Sequence, residues 1–296
     1  MKKHRKTRRE RKKQRKLIIL SMAILLCIMS AGYAAFQTNL NITAKGNIKN
    51  KILTTQDLKN KTVTSGSGLY KDDLEKNKYI YKGKDPNNYI KLNNEIWRII
   101  SIEPDNTLKI MKQDSIGDFP YDPGYATNIE GITDANSMEG TRGSTTSTDY
   151  CYNNNSTTSY YGCNVWGSKT TMLDANGNSI TKIPKEIGSS TTYDLPEKEA
   201  YLNTYLNNIY YASLSENTKN KITNHSFNVG HLAYTSGQTL STDISQEKKY
   251  TWKGKVGLTN ATDYVRASTD TSCTSSYAAS QSPYPCKNEN FMLGSS

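Results

Sequence analysis

Apolar and polar residues alternate through residues 78–113, and this alternation predicts the first part of the fold. Ile90 and Leu92 are each flanked by polar residues, and residues 96–100 form an almost continuous apolar run that is typical of a buried strand. The tripeptide Pro104-Asp105-Asn106 has the composition of a turn. We therefore predict a β-meander whose strands lie in NKYIYKG, NYIKLNNEIWRIISIE and TLKIMKQD.

A helical period replaces the alternation in LPEKEAYLNTYLNNIYYASL. Asp194 is placed to cap this helix, and Pro196 suits its first turn. The apolar positions share one face of the predicted helix: Tyr201, Leu202, Tyr205, Leu206, Ile209 and Tyr210. Shorter helices are predicted after the caps Ser215 and Asn260, with strands between them in HSFNVGHLAY and KKYTWKGKVGL. This order predicts an α+β fold: a β-rich mixed domain with two to three short helices.

Residues 114–168 follow neither period and are rich in Ser, Thr, Tyr and Asn in their second half. A loop of this length inside a compact domain is either functional or disordered. Behind it, TTMLDANGNSITKIP predicts a hairpin that turns at Asn176-Gly177, because Asn-Gly is a strong signal for a tight turn.

The N-terminal part of the chain has a different pattern. Residues 17–29 contain a single polar residue, Ser21; eleven Lys or Arg lie within residues 1–16, and the small residues 30–35 follow. This order is that of a secretory signal peptide, with cleavage favoured after Ala34 or Ala35. A retained signal anchor over residues 17–36 is the alternative, because that segment is just long enough to span a bilayer.

Both alternatives predict the same location. The basic side of a signal or anchor stays in the cytoplasm under the positive-inside rule, so the folded part is expected to be secreted or displayed on the cell surface. The expected partners are therefore the membrane, through the N-terminal apolar segment, and a signal peptidase.

The charge does not predict a nucleic-acid partner. The net charge is +11, but residues 1–16 hold eleven basic residues and one acidic residue, so the rest of the chain is nearly neutral. Nucleic-acid binding is driven by Lys and Arg residues clustered on the folded surface, and we therefore expect no nucleic-acid partner.

Three regions are predicted along the chain. Residues 1–35 form the signal peptide or signal anchor, and the polar residues 36–68, rich in Asn, Lys and Thr, form a linker or stalk. Residues 69–296 form a single extracellular α+β domain, long enough to bury a sizeable core.

Export determines how the cysteines are interpreted. Cys27 lies inside the apolar run and is interpreted as a small hydrophobic residue. Four others follow: Cys151, Cys163, Cys273 and Cys286. An even number in an exported chain predicts disulfides. We prefer local pairing, Cys151 with Cys163 and Cys273 with Cys286, because each pair brackets a short polar loop, while the other connectivities stay open. Zinc is disfavoured because the short Cys-x2-4-Cys spacing is absent.

The residues best suited to ligand binding are aromatic residues of the long loop: Tyr150, Tyr152, Tyr160, Tyr161 and Trp166. Tyrosine combines a rigid contact area with one polar tip, and the neighbouring Ser, Thr and Asn offer adaptable hydrogen bonds, a composition shared with binding loops. The alternative is a surface loop of the same composition that binds no ligand.

Metal sites are less well supported. Asp174, Asn176 and Asn178 supply oxygen atoms at alternate positions, like the start of a calcium loop, but Lys185 stands where the EF-hand pattern needs Glu. We therefore favour a hairpin turn and predict no cofactor, with calcium as the alternative. His225 is predicted to share a strand face with His231, without a clear third ligand.

Two resemblances add to these predictions. SAGYAAFQTNLNITAKGNI resembles the start of exported Gram-positive proteins of the TasA and camelysin type, whose signals are cut by a SipW-like peptidase next to an Ala-Phe pair. NYIKLNNEIWRIISI, LPEKEAYLNTYLN and KGKVGLTNATDYVRAS resemble an uncharacterised domain family of exported Firmicutes proteins. The second resemblance implies a C-type-lectin-like fold. Because its members continue into a tryptophan-rich strand, it also implies that the last strands are missing after FMLGSS.

The sequence predicts an exported cell-surface binding or adhesion-type module for a glycan or protein ligand. No Gly-x-Ser-x-Gly, His-Glu-x-x-His or phosphate-loop pattern occurs, so no catalytic residue is predicted and the chain is not expected to be an enzyme. A structural surface or fibre subunit is one alternative. An extracellular hydrolase is the second, because the separation of paired carboxylates is a three-dimensional property.

Overall fold

The computed structural model describes residues 54–122, 147–151 and 163–292. The predicted signal region and most of the predicted linker lie outside these residues. The strands are β1 Gly68–Lys71, β2 Tyr79–Lys82, β3 Tyr89–Leu92, β4 Glu95–Ile102, β5 Leu108–Lys112, β6 Met172–Asp174, β7 Lys182–Ile183, β8 Tyr193–Asp194, β9 His225–Asn228 and β10 Tyr250–Gly254. The α-helices are α1 Thr55–Lys59, α2 Tyr201–Thr204, α3 Tyr211–Ser213, α4 Glu216–Lys219, α5 Leu240–Glu247, α6 Ala261–Arg266 and α7 Ser276–Ser280.

In the first sheet, β3, β4 and β5 form the predicted meander with β4 at its centre, whereas β2 departs from the prediction because it pairs with β4 and not with β3. β5 pairs along one edge of β4, so β3 and β2 share its other edge, β3 beside the first half and β2 beside the last residues. All pairings are antiparallel, and β1 extends the sheet beyond β2. Both faces of β4 are covered, because every residue from Trp97 to Ile102 is buried. The prediction of a buried strand is confirmed for residues 97–100, whereas Ile96 is 53% exposed.

The second sheet has the order β6-β10-β9, and a separate short ribbon joins β7 to β8. The sheet packs in an aromatic core whose buried members are Tyr150, Cys163, Val165, Trp166, Met172, Ile183, Leu195, Leu206 and Trp252. The predicted hairpin after β6 is present: Asp174 accepts hydrogen bonds from the amides of Asn176 and Asn178, and Gly177 has φ +83°. A φ of that sign strains any residue with a side chain.

Three helix predictions can be compared with the structure. Ser215 caps α4, and Asn260 caps α6 in a reciprocal capping box with Asp263. The long helix begins later than predicted: α2 starts at Tyr201, and Asp194 is paired in β8 instead of capping a helix. Its hydrogen bonding changes to a π-helix over Tyr205–Tyr210 before α3, which rotates the predicted apolar face and leaves Ile209 exposed.

The folded domain begins earlier than residue 69. Thr54 and Asp57 form a capping box on α1, Leu58 packs against the core of the first sheet, and the amide of Val63 donates to the carbonyl of Leu69. The linker prediction is therefore wrong for residues 54–68. The described residues belong to one compact unit.

Both predicted disulfides are present: Cys151 with Cys163, and Cys273 with Cys286. The mixture of short helices and small antiparallel sheets is an α+β fold, as predicted. Among the described residues, no helix has the length and hydropathy needed to cross a membrane.

A buried network of charges ties α6 to the first sheet. Arg266, 5% exposed, is paired with Asp72 and Glu75. Lys78 bridges Glu75 and Glu103 at 3.2 and 3.1 Å. A buried cation keeps its charge at low cost only when carboxylates surround it, so the network specifies how these elements pack.

Candidate functional site

Two of the predicted ligand-binding residues are described, and both are buried. Tyr150 is 7% and Trp166 6% exposed, and the Trp166 ring lies edge-on to the Trp252 ring with centroids 5.9 Å apart. Their rings contribute mainly to the aromatic core, which corrects the expectation that both present a loop surface. Tyr152, Tyr160 and Tyr161 lie outside the described residues.

Both buried rings nevertheless line a concave site, which we call the His231 cleft. Three cavities, of about 140, 500 and 20 Å³, are each lined in part by His231. Trp166 and Phe227 line the first cavity, Tyr150 and Lys185 the second, and Lys249 the third. Ligand sites in proteins are concave, mostly apolar and supplied with a few converging polar groups, and this cleft has that composition.

The end of α5 positions His231. The amide of Gly230 donates to the carbonyl of Glu247 at 2.9 Å, and the amide of Ala233 donates to the side-chain oxygen of Gln246 at 3.0 Å. A Cβ atom on Gly230 would lie 2.0 Å from the carbonyl oxygen of Gln246, so only glycine permits this approach. The segment that carries His231 is therefore held on α5 rather than in a strand.

Tyr150 holds the His231 ring from the opposite side. The hydroxyl of Tyr150 lies 2.9 Å from Nε2 of His231. Burial, with a smaller contribution from Tyr250, raises the pKa of Tyr150 to about 12, so the phenol keeps its proton at neutral pH. Its hydroxyl has no other acceptor among the described residues, so we assign the phenol as donor to Nε2.

This assignment leaves the proton of the neutral imidazole on Nδ1. Burial, together with the nearby charge of Lys249, lowers the pKa of His231 and keeps the ring neutral at pH 7. Nδ1 has no hydrogen-bond partner among the described residues and is not a buried unsatisfied atom. With this tautomer His231 has an N–H donor that no described residue accepts.

Exposed apolar side chains surround the cleft. Ile187 and Leu258, 41% and 46% exposed, line its cavities, and Tyr234, 51% exposed, lies between the lining residues Ala233 and Thr235. Tyr234 also has φ +47°, a conformation that costs free energy for a bulky residue. Exposed apolar groups collected at one concave surface are typical of binding sites.

The metal candidates do not converge. The carboxylate of Asp174 already accepts hydrogen bonds from its own turn, including the side-chain amide of Asn178 at 3.1 Å. His231 lies beyond the end of β9, so the prediction that it shares a strand face with His225 is wrong. Among the residues that the structure describes, no three His, Cys, Asp or Glu side chains group to hold a metal ion.

Sequence patterns did not reveal the pairing of Tyr150 with His231, because the two residues are 81 positions apart. They also missed α5, although Thr239 caps it by accepting from the amide of Thr242 and is followed by an amphipathic run. That cap was the available signal for the helix against which the His231 segment packs.

Comparison with known proteins finds no matching family model, no matching curated protein and no matching solved structure.

Proposed function

We propose that this chain is an exported cell-surface binding module and that the His231 cleft is its ligand site. The observation that carries the proposal is the cleft itself, where buried rings, one imidazole donor and exposed apolar side chains meet. Export is supported by the basic and apolar pattern of residues 1–35, and by cysteines that pair as extracellular cysteines do.

The C-type-lectin-like fold is part of the same proposal. It is supported by the resemblance of three segments to exported Firmicutes domains and agrees with the α+β architecture. The Cys151–Cys163 disulfide tethers one side of the cleft, since Cys163 precedes Asn164, a residue that lines two of the cavities. A ligand in this cleft would therefore lie near the Cys151–Cys163 disulfide.

The test is a binding screen with the secreted chain against immobilised glycans and extracellular proteins, repeated with two rim variants. Ile187→Ser and Leu258→Ser each remove a large exposed apolar side chain from the cleft. Each variant is expected to weaken binding about tenfold, because the apolar surface that the ligand would cover is lost.

Leu74→Ser is the matched control, because Leu74 is 48% exposed and lines none of the three cavities. It should leave affinity unchanged. Equal affinities of all three variants and the unmodified chain, or no saturable binding in the whole screen, would contradict the proposal.

A further inference from the structure

We propose that Glu247 ties together two walls of the His231 cleft and does so best in its protonated form, so that the cleft is held closed in acid and loosens as the pH rises towards neutrality. The inference rests on the proposed function, because it concerns the regulation of the same cleft. It goes beyond that function by assigning the cleft a shape that depends on pH.

The first argument is the position of Glu247 between two cleft walls. The cavity of about 140 Å³ is lined by residues 230–231 and by residues 258–260. Glu247 ends α5, and its main-chain carbonyl accepts from the amide of Gly230 at 2.9 Å. Its carboxyl accepts from Thr262, two residues beyond the second wall, through the amide at 3.1 Å and through the hydroxyl. One residue is therefore hydrogen-bonded to both segments.

The second argument is that no cation neutralises Glu247. Glu247 and Thr262 are each 3% exposed, and Glu247 forms no ion pair within the described ranges. Lys109 acts on Glu247 but is already paired with Asp263 at 2.5 Å, and Asp263 adds a second negative charge beside it. A buried carboxylate without a cation of its own costs free energy, so folding around Glu247 disfavours the ionised form.

The pKa of Glu247 agrees with this geometry. Burial is the largest effect and raises the pKa to about 7, with Asp263 acting in the same direction; the hydrogen bonds from Thr262 and the charge of Lys109 oppose burial without cancelling it. Protonation preserves the hydrogen bond between the carboxyl and the Thr262 hydroxyl, because either oxygen can supply the proton.

Other charged groups on the packed elements do not supply the missing cation. Lys248, next to Glu247 on α5, and Arg266 on α6 both pair with carboxylates of the buried charge network. Asp243, one turn earlier on α5, is another buried carboxyl. Burial, followed by the charges of Glu247 and Asp243, raises the pKa of Tyr234, so that phenol adds no positive charge either.

The sign of the pH effect follows from the two states of the cleft. An opened cleft exposes the Glu247 carboxyl to water, where its pKa returns to 4.5. The closed arrangement is therefore fully favoured below pH 4.5, and this advantage is lost as the pH rises to about 7. Each pH unit in that window shifts the equilibrium from closed to open by at most about tenfold. The amide of Asn260 donates to the carbonyl of Asn228 at 2.8 Å, a link that does not titrate.

The test is hydrogen exchange of the 15N-labelled secreted chain without ligand, followed by NMR between pH 5 and pH 7. The protection factors of the Gly230 and Thr262 amides, each corrected for the intrinsic rate at that pH, report how often the two walls open. We expect both to fall in parallel, by on the order of thirtyfold from pH 5 to pH 7. The β4 amides should stay better protected, because they exchange when the whole domain unfolds.

Two variants make the assignment specific. Glu247→Gln keeps the shape of the protonated carboxyl and should remove the pH dependence at both amides. Glu216→Gln, at an exposed acid on α4, should retain it. His231 titrates in every variant, so a pH dependence that persists in Glu247→Gln belongs to another group and overturns the proposal.

The proposal is also overturned if only Thr262 responds to pH, because Glu247 then does not couple the walls. Equal protection of Gly230, Thr262 and β4 at every pH overturns it as well, because the cleft then never opens separately from the domain. Since this experiment uses no ligand, its failure is distinct from failure of the proposed function, which the binding screen decides.

Discussion

Glu247 is buried and Glu75 is largely buried, but their negative charges are compensated differently, so the two carboxyl groups should respond differently to pH. For Glu247, burial is the largest effect and raises its pKa to about 7, although Thr262 donates to it from both its amide and its hydroxyl. For Glu75, burial is opposed by Lys248, Lys78 and Arg266, which together lower its pKa to about 2. Folding therefore favours the protonated form of Glu247 and the ionised form of Glu75.

The free energy of unfolding should respond with opposite signs. The stability that protonated Glu247 contributes is fully present below pH 4.5 and is lost as the pH rises through about 7. The stability that ionised Glu75 contributes is present above pH 4.5 and is lost as the pH falls through about 2.

Glu247→Gln should therefore flatten the fall in stability between pH 4.5 and 7, a fall of at most about 1.4 kcal/mol per pH unit for one group. Glu75→Gln should destabilise the protein at pH 7 by about 3 kcal/mol, because it leaves buried cations without their partner. Urea unfolding of both variants at several pH values measures this. A destabilisation of Glu247→Gln at pH 7 as large as that of Glu75→Gln would contradict the assignment.

At the scale of elements, the two disulfides close loops of similar length. Cys151 and Cys163 are 12 positions apart, and Cys273 and Cys286 are 13 apart. Restricting the unfolded chain by loops of this size contributes about 3 kcal/mol each in the chain-entropy model. Replacing either pair by alanine should therefore lower the free energy of unfolding by about that amount.

The two alanine double variants should differ in ligand binding. Cys163 lies next to the cleft, whereas Cys286, 0% exposed, belongs to the C-terminal part around α7. Removing the first pair should weaken binding as well as stability, and removing the second should weaken stability alone. Denaturant titration and binding measurements on both variants test this; equal loss of affinity in the two would show that neither loop is closer to the site.

The elements differ in how far the sequence predicts them. The meander around β4 follows from alternation, and the caps Ser215 and Asn260 are local signals that tertiary contacts did not override. Asp194 failed as a cap because pairing in β8 uses its backbone. The π-helix after α2 changes the angle between successive side chains, and no pattern with a period of 3.6 residues anticipates that change.

At the scale of the whole molecule, the site depends on distant segments. His231 is held by Gly230 against the end of α5 and by Tyr150, which belongs to residues 114–168. The sequence shows which segments are rich in aromatic residues, and the spacing of the cysteines favours local disulfides. It does not show which aromatic rings are buried or which histidine contacts them. Tyr150 and Trp166 are both buried in the aromatic core and line the cleft with the small part of their surface that remains.

Hydrogen exchange of the secreted chain, with and without a saturating ligand from the binding screen, tests the location of the binding site most directly. We predict slower exchange in the amides of residues 229–233, 235 and 185–187, which line the cleft. The first sheet, β1 to β5, should be unaffected. Slower exchange confined to that sheet, with no change around His231, would contradict the assignment of the ligand site to the His231 cleft.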